Sequence, residues 1–217
     1  LPTLHSAIQN PKSKILPAIV LLAFALRLCQ LGFQPLWWDE GYSVYFAAQD
    51  VVSLTLATAA DIHPPFYYYL LHFWMALFGA SDVAVRLLSV TIGVLSVPVL
   101  YVVGRRLVGE RAALLAAFLL AISPFHVYYS QEVRMYALAM LLGLFSVYFA
   151  CSMFQVPGSR LAIGTRETWN MVGYVLATSL AMYTLYYAAF IPLFQTLFVL
   201  IFWRRNRSIM GKWLAAQ

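Results

Sequence analysis

Six apolar runs, near residues 15–31, 83–104, 112–128, 135–154, 169–187 and 188–203, leave this chain few ways to fold. Each approaches the ~20 apolar residues that a helix needs to cross a hydrocarbon core. Continuous runs of this length are not the alternating ten-residue segments of a β-barrel. Composition excludes a water-soluble globule, because 63% of the residues are hydrophobic and 10% are charged, against ~25% charged in soluble domains. The expected fold is an all-α polytopic membrane protein. Residues 1–217 form one membrane domain of about six transmembrane helices, with interfacial helices in the first outer loop.

The net charge of +6 does not point to nucleic acid, since the basic residues fall between apolar runs rather than on one face. They report topology instead. The segment 65–79 is only about 15 residues long and crowded with Tyr67, Tyr68, Tyr69, His72 and Trp74, which suits an interface better than a span. If it does not cross, 11 of the 14 basic residues lie inside; if it crosses, the count is 4 inside against 10 outside. The positive-inside rule selects the first arrangement. Both ends are then cytoplasmic, and the outer loop 32–82 carries surface helices 42–60 and 65–79. Arg27 is expected to snorkel to the outer interface. The segment 204–217 ends in Trp213-Leu214-Ala215-Ala216, which reads as the opening of another helix and makes the chain the front part of something longer.

Against this background the polar residues stand out. Pro35-Leu36-Trp37-Trp38-Asp39-Glu40-Gly41-Tyr42 follows the first apolar run. Paired indoles suit an interface, but adjacent carboxylates beside hydrocarbon are costly and are kept for function. A solvated acidic loop is the plainer alternative. With this topology Asp61-Ile62-His63-Pro64-Pro65 and Gln131-Glu132-Val133-Arg134-Met135-Tyr136 reach the same outer face. A carboxylate against an aromatic wall is suited to act as a general base. Arginine offers a planar fork of donors to a phosphate. Helices expected to begin near Gln131 and at Pro64/Pro65 would aim their positive dipole ends at the same place. Each residue has a structural alternative: Arg134 pairing Glu132 or Gln131, His63 as a turn residue, the Tyr67–Tyr69 run as an aromatic belt, and Arg86 pairing Asp82 at i,i+4. Cys29 and Cys151 read as small core residues with no metal or redox spacing. Gly93, Ser96, Gly143 and Ser146 read as helix-contact positions.

In order, Trp38-Asp39-Glu40, His63-Pro64-Pro65-Phe66-Tyr67-Tyr68, Phe78-Gly79 through Arg86-Leu87, Arg105-Arg106-Leu107-Val108-Gly109 and Ser130-Gln131-Glu132-Val133-Arg134-Met135-Tyr136 resemble the GT-C superfamily of membrane glycosyltransferases. The similarity is to the protein O-mannosyltransferase and aminoarabinose transferase-like branch, over its amino-terminal part. It implies an inverting transfer of a sugar from a polyprenyl-phosphate carrier to an acceptor at the extracytoplasmic face of the cell membrane. The implied catalytic residues are Asp39, as base, and Glu40. The implied substrate-binding residues are His63, Tyr67, Gln131, Glu132, Arg134 and Tyr136. No metal-ligand set is assigned; the lipid-phosphate sugar is substrate rather than cofactor, and a divalent ion stays open. Expected partners are membrane lipids, the carrier-linked sugar and other membrane subunits. The alternative is a non-catalytic GT-C-like helical module serving a larger complex. A transporter is disfavoured, because no ionisable residue sits mid-membrane in the apolar runs.

Overall fold

The computed structural model describes residues 11–154 and 163–202. The segment 204–217 lies outside them. Among the described residues every regular element is helical. Helix α1 (Pro11–Leu28) is followed by three short helices, α2 (Trp38–Ala47), α3 (Val51–Ala59) and α4 (Phe66–Phe78). Then come α5 (Asp82–Val108), α6 (Glu110–Ile122), α7 (Pro124–Gln131) and α8 (Tyr136–Phe154). Helix α9 (Ile163–Met182), a 3₁₀ turn (Tyr186–Ala189) and α10 (Phe190–Phe202) close the described part.

Local chemistry explains the boundaries. The surface helix expected over 42–60 is two helices, because Asp50 accepts hydrogen bonds from the Val52 and Ser53 amides at 3.0 and 3.1 Å and starts α3 as its cap. Helix α2 begins earlier than expected, with Asp39 and Glu40 in a first turn that favours negative charge. Ser81 caps α5, and glycines at φ 85° and 89° end α4 and α5 at Gly79 and Gly109. The run 112–128 is broken: Ser123-Pro124 stops α6, and α7 leaves it at 55°. The hairpin expected at 187/188 starts earlier, at Tyr183–Leu185.

Helix α5, 27 residues and roughly 40 Å long, is the central post; α1, α6, α7 and α8 all pack on it. It and Tyr136–Met153 are long and apolar enough to cross a membrane, and the bent α6/α7 pair makes a third candidate. Ile15–Leu28 and Tyr186–Ile201 are shorter apolar helices. The expected helix-contact positions serve as such. Ser146, Thr178 and Gln195 hydrogen-bond across α8, α9 and α10. A Cβ at Gly93 would overlap Ser130 and come within 3.3 Å of Arg27 Nε.

Arg27 does not snorkel. It is fully buried, and all five of its N–H groups are used. They reach Ser130 Oγ, the Ala23, Ala121 and Leu120 carbonyls, and His126 Nδ1. Two of those carbonyls, of Leu120 and Ala121, lie in the last turn of α6, where a cation is favoured. Cys29, expected in the core, is exposed, and Cys151 is half-buried.

Replacing Gly93 by Ala is expected to destabilise the protein by about 1–3 kcal/mol, through overpacking against Ser130. Gly41, in α2, has nothing within 4 Å of its would-be Cβ. Gly41→Ala should therefore be neutral or stabilising by about 0.5–1 kcal/mol. Thermal unfolding in detergent compares the two.

Candidate active site

The segment between α1 and α5 is held to α5 by one ion pair among the described residues. Arg86 Nε donates to Glu40 Oε1 at 2.9 Å and its Nη2 to Glu40 Oε2 at 2.6 Å. The remaining guanidinium donors reach the Leu31, Gln34 and Pro35 carbonyls, so none is left over. Glu40 Oε1 also accepts the Val133 amide at 3.0 Å, and Oε2 the Trp37 amide at 3.3 Å. Glu40 is 1% exposed and its lone pairs are committed. It joins three segments, α2, α5 and the stretch before α8. The Asp82–Arg86 surface pairing is corrected, because the buried arginine pairs with Glu40.

Neighbouring residues on α2 point about 100° apart, so burying Glu40 turns Asp39 to another side. The Asp39 side chain is 41% exposed, and its Oδ2 lies 3.7 Å from Arg134 Nη1. The same nitrogen donates to the Asp39 carbonyl at 3.4 Å. Arg134 is therefore not paired with Glu132. It is only 7% exposed, its Nε has no partner, and its guanidinium lies 5.7 Å from the Tyr136 ring centre. The Tyr68 phenol, pushed up by burial, feels Arg134, Asp61, Tyr42 and Asp39. Asp61 bonds His63 Nδ1 at 3.2 Å. Arg134, Asp61 and Asp39 thus all act on Tyr68, with Tyr136 beside Arg134 and His63 beside Asp61.

Other expected residues sit elsewhere. Tyr67 is fully buried with its hydroxyl 3.3 Å from Ser89 Oγ, and it packs in the core. Gln131 ends α7 instead of opening a helix, and its amide donates to the Arg27 and Cys29 carbonyls. The chain is extended at Glu132, the Val133 amide is drawn to Glu40, and α8 starts only at Tyr136. Arg134 and Tyr136 face the Asp39 side, whereas Gln131 and Glu132 line a cavity of about 330 Å³. Burial raises the Glu132 carboxyl above its usual range, and a hydrogen bond with Tyr128 opposes this. Sequence reasoning did not assign functions to Arg86 or Arg27. Their position near the outer ends of apolar runs was the available signal.

The fold is that of the GT-C membrane glycosyltransferases. At TM-score 0.70 and 18% identity the chain is similar to the protein O-mannosyltransferase Pmt1-Pmt2 complex of S. cerevisiae, solved bound to the sugar donor, over 96% of this chain and 31% of that one. ArnT from Cupriavidus metallidurans, solved in the apo state, aligns at TM-score 0.64 and 21% identity, over 92% of this chain and 39% of that one. The chain therefore spans about a third of the length of these relatives. A comparison with curated protein sequences finds no match. The profile of the dolichyl-phosphate-mannose-protein mannosyltransferase family matches residues 62–216. The chain belongs to that family.

Truncating Glu40 to Ala is expected to cost about 3–5 kcal/mol, because it leaves the Arg86 charge buried and unpaired. Equilibrium unfolding against wild type measures it. The Glu132 carboxyl titrates higher when folded than when unfolded. Its stabilisation is thus complete below the ordinary Glu range and is lost as pH rises through the raised value. The difference in Tm between wild type and Glu132→Gln should therefore shift against wild type across that interval.

Proposed function

We propose that the chain is the amino-terminal part of a glycosyltransferase that moves a sugar from a polyprenyl-phosphate carrier to an acceptor at the extracytoplasmic face. Asp39 is the base, and Arg134 holds the carrier phosphate. The acceptor hydroxyl oxygen attacks the anomeric carbon, its proton passing to the Asp39 carboxylate. The bond from that carbon to the phosphate oxygen breaks, and the carrier phosphate leaves with the electron pair. Displacement from the face opposite the phosphate inverts the anomeric centre. Tyr136, with its ring centre 5.7 Å from the Arg134 guanidinium, and His63, held by Asp61, are the candidates to orient the donor.

One observation carries the reading: a buried arginine with an unpartnered Nε beside an accessible carboxylate. A guanidinium without its full set of acceptors is costly to bury, and an anion delivered in the active state relieves the cost. Family membership supports the transfer chemistry. The six-span topology fits a site at the Asp82 end of α5 and Arg105 and Arg106 in its last turn. A second reading, a structural module within a larger membrane assembly, draws on a structural neighbour's having been solved as the Pmt1-Pmt2 complex.

In the full-length protein Asp39→Asn should lower turnover by about 10²-fold or more, as expected on losing a general base. Arg134→Lys should also be impaired, since lysine keeps the charge but not the fork. Polyprenyl-phosphate binding to this chain in nanodiscs is the companion measurement. Normal turnover of both variants would defeat the assignment, and absent binding by wild type would favour the structural module.

A further inference from the structure

Tyr67, Tyr68 and Tyr69 are consecutive on α4, and their hydroxyls meet three different fates. Tyr67 is sealed in the core beside Ser89, and the Tyr69 hydroxyl lies 2.7 Å from that of Thr55 on α3. Tyr68 is buried as deeply as Tyr67, at 1% exposure, yet its hydroxyl hydrogen-bonds nothing among the described residues. A buried hydroxyl without a partner costs free energy. Phenylalanine in its place would avoid that cost.

The ring itself is fixed. It packs on Phe46 of α2, with 5.2 Å between ring centres, and on Tyr67, at 5.9 Å. Asp39, Tyr42 and Phe46, at i, i+3 and i+7, follow one side of α2, and Tyr42 meets Phe46 edge-on at 4.6 Å. The phenol thus rests on Phe46 while feeling Tyr42 and Asp39 further up the same side. Arg134 completes the corner. Val133 and Met135, on either side of it in sequence, are buried in the cluster that holds Phe46 and Tyr68, and the guanidinium charge acts on the phenol.

Two unpartnered donors therefore border Asp39, the Arg134 Nε–H and the Tyr68 O–H. They differ in kind. The guanidinium brings charge, whereas the phenol, its proton held on by burial, brings a donor without charge. A second cation here would be drawn to Asp39 and Asp61; a neutral donor stays available. We infer that the Tyr68 hydroxyl is a second hydrogen-bond donor, beside Arg134, to the carrier phosphate. The inference rests on the proposed phosphate role of Arg134. The phenol keeps its proton and donates only a hydrogen bond, so it takes no part in the proton's path to Asp39. Its contribution grows as the sugar–phosphate bond breaks, because charge gathers on the phosphate oxygens and a donor already in place need not reorganise.

The test measures Tm and polyprenyl phosphate binding for the full-length protein in nanodiscs, with polyprenol of the same length as the control for the tail. Tyr68→Phe removes the hydroxyl and nothing else. It should bind polyprenyl phosphate about tenfold more weakly, with polyprenol unaffected and Tm equal to or above that of wild type. Tyr69→Phe makes the same chemical change one position along, at a hydroxyl already partnered, and should bind the phosphate like wild type. Wild-type phosphate affinity in Tyr68→Phe overturns the inference. So does a parallel loss of polyprenol binding and Tm, which would make Tyr68 a packing residue. Arg134→Gln distinguishes the two assignments. If it loses the phosphate while Tyr68→Phe does not, the arginine stands and the phenol falls. If Tyr68→Phe loses the phosphate while Arg134→Gln does not, the phenol stands and the arginine falls. No phosphate binding by wild type overturns both.

Discussion

The two-pronged contact between Glu40 and Arg86 decides where everything else at this end of α5 can be. It draws the first turn of α2 against α5, takes the Val133 amide out of any helix, and fastens the loop through the Leu31, Gln34 and Pro35 carbonyls. Three segments, the first turn of α2, α5 and the stretch before α8, meet at a single carboxylate. A buried pair of this kind is weak support for stability in itself, but losing one partner is expensive. Its worth here is geometric. It sets the rotation of α2, and with it the direction in which Asp39 looks.

The three buried arginines among the described residues show how differently one side chain is used. Arg27 is satisfied mostly by neutral acceptors and a helix end, and Arg86 by a carboxylate and carbonyls. Arg134 keeps a donor in reserve. The first two join helices to helices and loop to helix. An incomplete set of partners is what distinguishes the third, and no property of the residue type predicts it.

Helices and their rough places were legible because apolar length and proline leave a local signature. The outer-face motifs were legible too, since charge beside hydrocarbon is conspicuous. Partners were not. The spacing of Asp82 and Arg86 advertises a surface pair, whereas the real partner, Glu40, is 46 residues away. Glu40 and Asp39 are indistinguishable until one is buried. Tyr67 was hidden within a run of tyrosines whose sides only packing separates. Gln131 and Arg134 looked like one cluster because an extended residue at Glu132 cannot be read from a stretch that is otherwise helix-permissive.

Arg27 also bears on how the chain is assembled during synthesis. Its acceptors on α6 and α7 lie 93 to 103 residues downstream. When α1 first meets the bilayer, only its own Ala23 carbonyl is at hand, and a lone guanidinium in a membrane helix is penalised by about 2.5–3.5 kcal/mol. Until the Ser123-Pro124 bend is in place, α1 therefore carries a guanidinium that its own residues do not satisfy. Its burial is completed by a part of the chain made well after it.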